Sequence, residues 1–279
     1  MKVKAYAKIN LFLDILHKRQ DGYHELDMIM QSVTLYDTLH IKKIKSGIII
    51  KCNKPLIPLD QANTVYKAAE LFLTEQQLNI GVSIRIDKKI PVEAGLAGGS
   101  TDAAATLVAL NRMFETKLSE KQLRHMALKV GSDVPFCIEG GTKRAKGRGE
   151  LLEKVSPLPK SYFVIIKPHA SVSTKYAYSL FDRTKKNINI ARIIKAIESK
   201  DISHIGKNLY NEFEDYIIPY NYEIRKAKEF LDSFDNEGCL MTGSGSAIYS
   251  LHSSLKQAKE VYTIAKKKYK DCFLCQSKN

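Results

Sequence analysis

The feature that most constrains this chain is a glycine-rich loop between a strand pattern and a helix pattern. Residues 82–90 alternate between apolar and polar side chains, as a half-buried strand does. The loop 91–102 follows and leads directly into apolar residues at helical spacing, among them Ala103, Ala104, Leu107, Val108 and Leu110. A strand, a glycine-rich loop and a helix, in that order, are typical of phosphate cradles, in which backbone amides at a helix N-terminus face the anion.

The composition of this loop favours a ligand of the phosphate type. The loop matches neither the Walker motif nor the spaced-glycine dinucleotide motif. Gly95, Gly98 and Gly99 let backbone amides approach an anion without a Cβ in the way. Ser100 and Thr101 add hydroxyl groups at the positive end of the helix dipole. Taken alone, the loop could also be a turn that only caps the helix.

Other candidate site residues lie at the ends of predicted elements. Residues 3–15 carry apolar side chains at odd positions, which predicts a strand with one buried face and with Lys8 and Asn10 together on the opposite face. Asn63 begins a predicted helix. Another predicted helix has Ser119 in a capping-box position and ends at Gly131, so Asp133 lies in the segment that directly follows the helix.

Length and composition predict two globular domains. The chain has 279 residues, of which 44% are hydrophobic. Two prolines around residue 158 favour a boundary there, between an N-terminal domain, 1–158, and a C-terminal domain, 159–279. A net charge of +14 favours an anionic partner. The five cysteines predict reduced thiols, and the sequence has no secretory or membrane-spanning pattern, so we expect a cytoplasmic protein.

Four separated segments resemble the GHMP small-molecule kinases. The run from Pro91 through Gly95 to Ser100 resembles their phosphate-binding motif, with Ala97 where many relatives carry Gly. Residues 241–246, with Gly243, Ser244 and Gly245, resemble their C-terminal glycine motif. Segments 7–11 and 21–24 resemble the branch that acts on a CDP-linked methylerythritol. The resemblance implies an α+β, two-domain GHMP kinase fold, with a ribosomal-protein-like N-terminal domain and a ferredoxin-like C-terminal domain.

The resemblance also implies a reaction and its residues. It implies transfer of a phosphoryl group from ATP to the 2-hydroxyl of the CDP-linked methylerythritol, in the non-mevalonate isoprenoid pathway, with Asp133 as the base and Lys8 as its partner. The residues implied to bind ATP are Asn63, Pro91, Gly95, Leu96, Ala97, Gly98, Gly99, Ser100 and Thr101. The residues implied to bind the CDP-linked substrate are Asn10, Tyr23, His24, Asp133, Thr174 and Tyr178.

Cofactors, partners and alternatives complete these expectations. Mg²⁺ is expected to arrive with the nucleotide, since the metal neutralises the phosphates in kinases generally. Asp102 is either a ligand of that metal or an acid that stabilises the first turn of its helix. We expect no nucleic-acid or membrane partner, and a monomer or weak homodimer. The alternatives are a GHMP kinase that acts on another small alcohol and a basic RNA-binding module.

Overall fold

The chain mixes strands and helices, and the computed structural model describes residues 1–181 and 188–279. The strands in these ranges are β1 (Lys2–Lys18), β2 (His24–Ile44), β3 (Ile48–Cys52), β4 (Gly81–Asp87), β5 (Thr142–Gly147), β6 (Leu151–Lys154), β7 (Tyr162–Lys167), β8 (Tyr210–Asn211), β9 (Gly238–Met241), β10 (Ile248–His252) and β11 (Asp271–Gln276). The helices are α1 (Thr64–Glu75), α2 (Gly98–Met113), α3 (Glu120–Val130), α4 (Val134–Glu139), α5 (Thr174–Ser179), α6 (Ala191–Glu198), α7 (Ile202–Lys207), α8 (Phe213–Ile217), α9 (Tyr222–Asp232) and α10 (Leu255–Lys268). None of these helices has the length and apolarity that a membrane span requires.

The chain forms two compact units, each assembled from separate stretches of sequence. The first unit contains residues 1–7, 35–92 and 97–140. The second unit contains residues 8–34, 93–96 and 141–279. Both β1 and β2 therefore contribute residues to each unit. The domain boundary that the sequence predicts between residues 158 and 159 stays a prediction.

The first unit packs helices against a small sheet. In this unit β4 pairs with residues 38–44 of β2 in antiparallel fashion and with β3 in parallel fashion. Helices α1 and α2 pack on each other, and α3 and α4 pack beside α2. Phe72 of α1, Ile84 of β4 and Leu107 of α2 are fully buried in the shared core. Burial of each such side chain contributes about 1.5–3 kcal/mol, which holds α2 and the loop before it in place.

The second unit contains a four-stranded antiparallel sheet with the order β11-β7-β10-β9. Helices α9 and α10 pack on this sheet. Along the chain the core elements follow one another as β7, α9, β9, β10, α10 and β11. This β-α-β-β-α-β sequence is the ferredoxin-like arrangement, so the expected C-terminal fold is confirmed. The same unit holds the hairpin of β5 and β6, which pairs with residues 26–31 of β2.

The strand prediction for the N-terminus is confirmed in its position but not in its exposure. The strand β1 includes the predicted residues, yet from residue 7 to residue 13 the side chains on both faces are buried. Lys8 is 5% exposed and Asn10 is fully buried. The expectation of a single buried face is therefore wrong here, because partners distant in sequence, Met28 and Thr242, cover the polar face.

Candidate active site

The glycine-rich loop joins β4 to α2, and its backbone enters the left-handed region at three alternate residues. The angle φ is 51° at Glu93, 71° at Gly95 and 56° at Ala97. Ala97 precedes the first residue of α2, and no side chain caps that helix. The first backbone amides of α2, at residues 98–100, have no intrahelical acceptor because of their position in the helix. This terminus therefore has the donors and the positive dipole end that a phosphate requires.

Four further residues predicted to bind ATP, Pro91, Leu96, Ser100 and Thr101, lie within the same loop. Pro91 and Ser100 are partly buried, and the buried Leu96 accepts a hydrogen bond at its carbonyl oxygen from the Lys8 backbone N–H, 3.2 Å away. The Thr101 hydroxyl donates to the carbonyl oxygen of Tyr6 at 2.6 Å. Thr101 thus fixes the start of α2 to the N-terminal strand.

Asn63 has a structural task in addition to the one that the resemblance implies. Its side-chain oxygen accepts a hydrogen bond from the Val65 backbone N–H and caps α1, and its Nδ2 donates to the carbonyl oxygen of Pro58. The next residue contacts the loop instead: the Thr64 hydroxyl donates to the carbonyl oxygen of Gly99 at 2.8 Å. A role for Asn63 in an adenine pocket stays a prediction.

The C-terminal glycine motif lies directly against the loop residues 93–96. The Thr242 hydroxyl donates to the carbonyl oxygen of Gly95 at 3.3 Å, and the backbone N–H of Ser246 donates to Glu93 at 3.4 Å. A Cβ on Gly243 would lie 3.0 Å from the Cα of Gly95. The side chain of Asn211 donates to the carbonyl oxygen of Gly243 at 2.8 Å and holds the motif in place. The two glycine motifs therefore pack backbone against backbone, and the second motif supports the first.

Replacement of Gly95 by Ala is expected to damage this contact more than left-handed strain alone would. An added Cβ would lie 1.9 Å from the Thr242 carbonyl oxygen, which no small adjustment relieves. Gly141 is the matched control, because its φ of +73° is similar and nothing lies within 4 Å of an added Cβ. We expect Gly141→Ala to cost about 1–2 kcal/mol of strain, and Gly95→Ala about 1–3 kcal/mol more. Urea unfolding measures both; equal losses would contradict the close packing.

A buried ionic triad lies beneath the start of α2 in the first unit. The Nζ of Lys88 donates to Oδ2 of Asp37 and to Oδ2 of Asp102, each at 2.6 Å. All three side chains are almost fully buried. Oδ1 of Asp37 also accepts hydrogen bonds from the backbone N–H groups of Lys89 and Ile90. The triad therefore connects β2, the segment that leads into the loop, and Asp102 of α2.

The protonation of the triad follows from its burial and its charges. Burial raises the pKa of Asp102 to about 8, although the Lys88 ammonium acts in the opposite direction. Burial also opposes the charge of Lys88, but the attraction of Asp102 and Asp37 outweighs it and raises the pKa of Lys88. At neutral pH Lys88 is thus charged and Asp102 mostly holds its proton.

The stability of the protein is therefore expected to fall as pH rises through about 8. The folded chain holds the Asp102 proton up to about pH 8, whereas the unfolded chain releases it near the ordinary value of 3.8. The contribution of Asp102 to the free energy of unfolding is consequently fully present below pH 3.8 and is lost as pH rises through the pKa of the folded state. Asp102→Asn removes the titration. Urea unfolding at pH 6 and pH 9 should show a smaller loss for the variant than for the parent; equal losses would refute the raised pKa.

The described residues do not form a dedicated Mg²⁺ site. Within residues 1–181 and 188–279, no group of three or more His, Cys, Asp or Glu side chains could hold a metal ion. Oδ1 of Asp102 is buried without a hydrogen-bond partner in this part of the chain. A metal ligand must be deprotonated, however, and Asp102 keeps its proton to about pH 8 beside an ammonium group. The other role left open for Asp102, that of an acid stabilising the first turn of its helix, is wrong, because α2 has no acidic residue in its first turn and a protonated carboxyl group carries no charge for the helix dipole. Asp102 is instead a member of the buried triad.

Lys8 and Asn10 form a buried polar pair on β1. The Nζ of Lys8 donates to Oδ1 of Asn10 at 2.8 Å. The backbone N–H of Asn10 donates to the Thr242 hydroxyl at 3.0 Å, and its carbonyl oxygen accepts from the Tyr249 hydroxyl at 2.9 Å. Strand pairing alone would not fix the side chains of Lys8 and Asn10. These bonds join the Lys8 and Asn10 side chains and fix the backbone of Asn10 against Thr242 of the C-terminal glycine motif.

Asp133 stands at the N-terminus of α4, in the turn after α3. The predicted capping box of α3 is confirmed, and α3 ends at Gly131 as expected. The side chain of Asp133 is partly exposed and does not cap α4. Its carbonyl oxygen accepts the first helical hydrogen bond, from the backbone N–H of Cys137. A fixed backbone thus presents a carboxylate that has no capping role in the helix.

Two of the residues predicted to bind the CDP-linked substrate, His24 and Tyr178, form an aromatic stack in the second unit. His24 stacks on Tyr178 with ring centroids 4.8 Å apart and planes 15° apart. Burial, with a smaller contribution from Lys18, lowers the pKa of His24. The neutral imidazole can therefore donate and accept at pH 7. Tyr23 is not part of this stack; its ring lies against the guanidinium of Arg148.

Thr174 lies beside the C-terminal glycine motif. Its hydroxyl is 3.2 Å from the Ser244 hydroxyl, within hydrogen-bond distance. Because α5 begins at Thr174 and also contains Tyr178, one short helix presents both residues. The structure therefore brings together Thr174 with Ser244 and Tyr178 with His24.

Three residues of this region were not found by sequence reasoning. Asp37 is a single charged residue in a strand pattern and Lys88 lies in a short charged run at the end of another, and nothing local marks either as buried. Arg148 lies in the tight turn between β5 and β6, which has no apolar alternation. The Gly-Arg-Gly run at 147–149 was the available signal, because it predicts a turn.

The comparisons with known proteins agree with this geometry. The chain matches the family models described as GHMP kinases N terminal domain, over residues 63–141, and GHMP kinases C terminal, over residues 193–271. It is 42% identical over 279 residues to the 4-diphosphocytidyl-2-C-methyl-D-erythritol kinase of Clostridium botulinum (strain Eklund 17B / Type B), which covers 99% of this chain and 100% of that protein. The chain belongs to the GHMP kinases.

Solved structures support the GHMP kinase fold over the whole chain. The crystal structure of a 4-(cytidine 5'-diphospho)-2C-methyl-D-erythritol kinase is similar with a TM-score of 0.86 at 28% identity, and 100% of each chain is covered. A homoserine kinase from Cytophaga hutchinsonii is similar with a TM-score of 0.78 at 20% identity, covering 99% of this chain and 94% of that one. The second likeness concerns the fold alone. This GHMP kinase is thus an ATP-dependent phosphotransferase that acts on an alcohol.

Proposed function

We propose that this GHMP kinase transfers the γ-phosphoryl group of ATP to the 2-hydroxyl of 4-diphosphocytidyl-2-C-methyl-D-erythritol, a step of the non-mevalonate isoprenoid pathway. The observation that carries the proposal is the His24–Tyr178 stack, with Tyr23 next to His24 in the chain. Rings of this kind bind a pyrimidine base, because stacking on an aromatic side chain is worth about 1–3 kcal/mol. Curated relatives that are similar over the full chain carry the name of this activity.

Within this proposal, Asp133 and Lys8 perform the chemistry. The substrate hydroxyl oxygen attacks the γ-phosphorus of ATP. The bond between the γ-phosphorus and the oxygen that bridges the β- and γ-phosphates breaks, and ADP leaves. The Asp133 carboxylate takes the hydroxyl proton, and the Lys8 ammonium orients the reacting oxygen. The fixed hydrogen bond from Lys8 to Asn10 supports this role, because orientation requires a side chain with one position.

The other predicted residues bind the two substrates. The loop residues Gly95, Leu96, Ala97, Gly98, Gly99, Ser100 and Thr101 hold the triphosphate, with Pro91 and Asn63 beside the nucleotide. Asn10, Tyr23, His24, Thr174 and Tyr178 bind the CDP-linked substrate. The uncapped N-terminus of α2 supports the first assignment. Mg²⁺ enters with ATP rather than at a site of the protein's own, and the enzyme acts as a monomer or weak homodimer.

ADP release with Mg-ATP and a set of acceptors tests the proposed function. The set contains the CDP-linked methylerythritol, mevalonate, homoserine and galactose. Turnover of the CDP-linked compound alone is the expected result. Turnover of another acceptor instead would keep the GHMP kinase but replace the substrate. Absence of turnover by folded protein, with steeply salt-dependent RNA binding, would favour the RNA-binding alternative.

A further inference from the structure

The guanidinium of Arg148 covers one face of the Tyr23 ring. The Cζ of Arg148 is 4.3 Å from the ring centroid, which is cation–π distance. Tyr23 is nevertheless 52% exposed, so a second flat group can reach the ring. With Arg148 on one face, that group has to stack on the opposite face. The pair thus decides from which side a base approaches.

Both members of the pair are held by the turns that carry them. The backbone N–H of Tyr23 donates to Oδ1 of Asp21 at 3.1 Å. Glu25 connects the two turns, because it accepts from Nη1 of Arg19 at 2.5 Å and from the Gly147 backbone N–H at 3.1 Å. Arg148 directly follows Gly147, so the network fixes the backbone on which the guanidinium is mounted.

The hydrogen-bonding capacity of Arg148 is unused. In the described part of the chain, its guanidinium N–H groups make no hydrogen bond or ion pair, and its backbone N–H bonds to Glu150. A guanidinium stacked on a ring keeps its in-plane donors at the rim, where they suit the paired oxygens of a phosphate. A cavity of about 600 Å³ lies in the hairpin of β1 and β2 that carries Tyr23, lined by His17, Lys18, Arg19, Gln20, Asp21 and Glu25, and a nucleoside diphosphate is small enough for such a volume.

We propose that Arg148 determines specificity for a nucleoside diphosphate: it donates to the diphosphate of the CDP-linked substrate while its plane holds the Tyr23 ring against the base. This inference rests on the proposed function and assigns a residue to the anionic part of the same substrate. Asp21 and Glu25 do not repel the diphosphate fully, because Arg19 pairs with both carboxylates. Arg148 lies over Tyr23 and also attracts the Asp21 carboxylate, while Lys18 acts electrostatically on His24.

The test compares the binding of CDP and of cytidine by titration calorimetry, with the full chain and three variants. Arg148→Met removes the donors, and Arg148→Lys retains the charge. Arg225→Met is the matched control, because Arg225 also lies over a tyrosine ring, that of Tyr222, at 5.7 Å. We expect Arg148→Met to weaken CDP binding about tenfold to 100-fold, as loss of a charged hydrogen-bond donor does. Cytidine binding should weaken much less, Arg148→Lys should recover part of the loss, and Arg225→Met should change neither.

Two outcomes would overturn the inference and leave the proposed function standing. One is an equal loss for CDP and cytidine, which would reduce Arg148 to a support for the Tyr23 ring. The other is unchanged CDP binding by Arg148→Met. If the parent protein bound neither CDP nor cytidine, both the inference and the proposed substrate would fail. Thermal unfolding of each variant shows whether the chain has folded, and Arg148→Lys provides the same comparison if Arg148→Met is unstable.

Discussion

Asp133→Asn is expected to lower kcat by about 10²–10⁴-fold, the usual contribution of a general base. The amide has the shape of the carboxylate but cannot take the hydroxyl proton. Stability should change little, because the Asp133 side chain does not cap α4 and Asn is as good a residue for an N-cap position. KM for ATP should also stay close to that of the parent. ADP release at saturating substrate measures the effect.

Asp201→Asn is the matched control for this variant. Asp201 also occupies an N-cap position, that of α7, where its side chain accepts a hydrogen bond from the His204 backbone N–H. Asn can make the same bond, and the exposed pair of Asp201 with the His204 imidazole contributes little, so kcat should not change and stability should change by less than about 1 kcal/mol. A folded Asp133→Asn enzyme with kcat within about fivefold of the parent would remove Asp133 from the role of base, since that loss is well below the base's usual share.

The elements that could be predicted from the sequence are those with a local cause. The helix α2 follows from its apolar spacing, and α3 follows from its capping box and from the glycine at its end. The loop between β4 and α2 follows from its glycines. The short helix α4 was missed, because six residues are too few for a periodic pattern. The hairpin of β5 and β6 was missed because Lys143, Arg144 and Lys146 replace the expected apolar alternation.

The parts of the site that could not be predicted depend on contacts distant in sequence. Lys8 and Asn10 have the spacing of an exposed strand face, whereas in the structure Asn10 contacts Thr242 and Met28, which are distant in sequence. The packing of the two glycine motifs joins residues about 150 positions apart. Motif resemblance placed both motifs in one family, but it gave no physical reason for the second one. That reason is the support of Gly95 by the backbone at Thr242 and Gly243.

Lys88→Met should show the dependence of the phosphate loop on the buried triad. The variant leaves the two buried acids Asp37 and Asp102 without their cation, and loss of one partner from a buried ionic group typically costs about 3–5 kcal/mol. Met approximates the length of the Lys stem, so the loss reflects charge more than a cavity. The Nζ of Lys88 lies 2.9 Å from the position of a Cβ on Gly98. Loss of the ammonium therefore also loosens the start of α2, and KM for ATP should rise.

A control variant and the pH dependence separate the loss of the buried triad from the general effect of removing a lysine. Lys129 forms an ion pair with Glu75 but is 48% exposed, so Lys129→Met should cost no more than about 1 kcal/mol. Urea unfolding at pH 7.5 measures both variants. The loss for Lys88→Met should shrink at pH 5, because a buried acid that has lost its cation is neutralised by protonation more readily at lower pH. If instead both variants lost the same small amount at both pH values, the triad would contribute no more than a surface pair, and the start of α2 would owe its position to apolar packing alone.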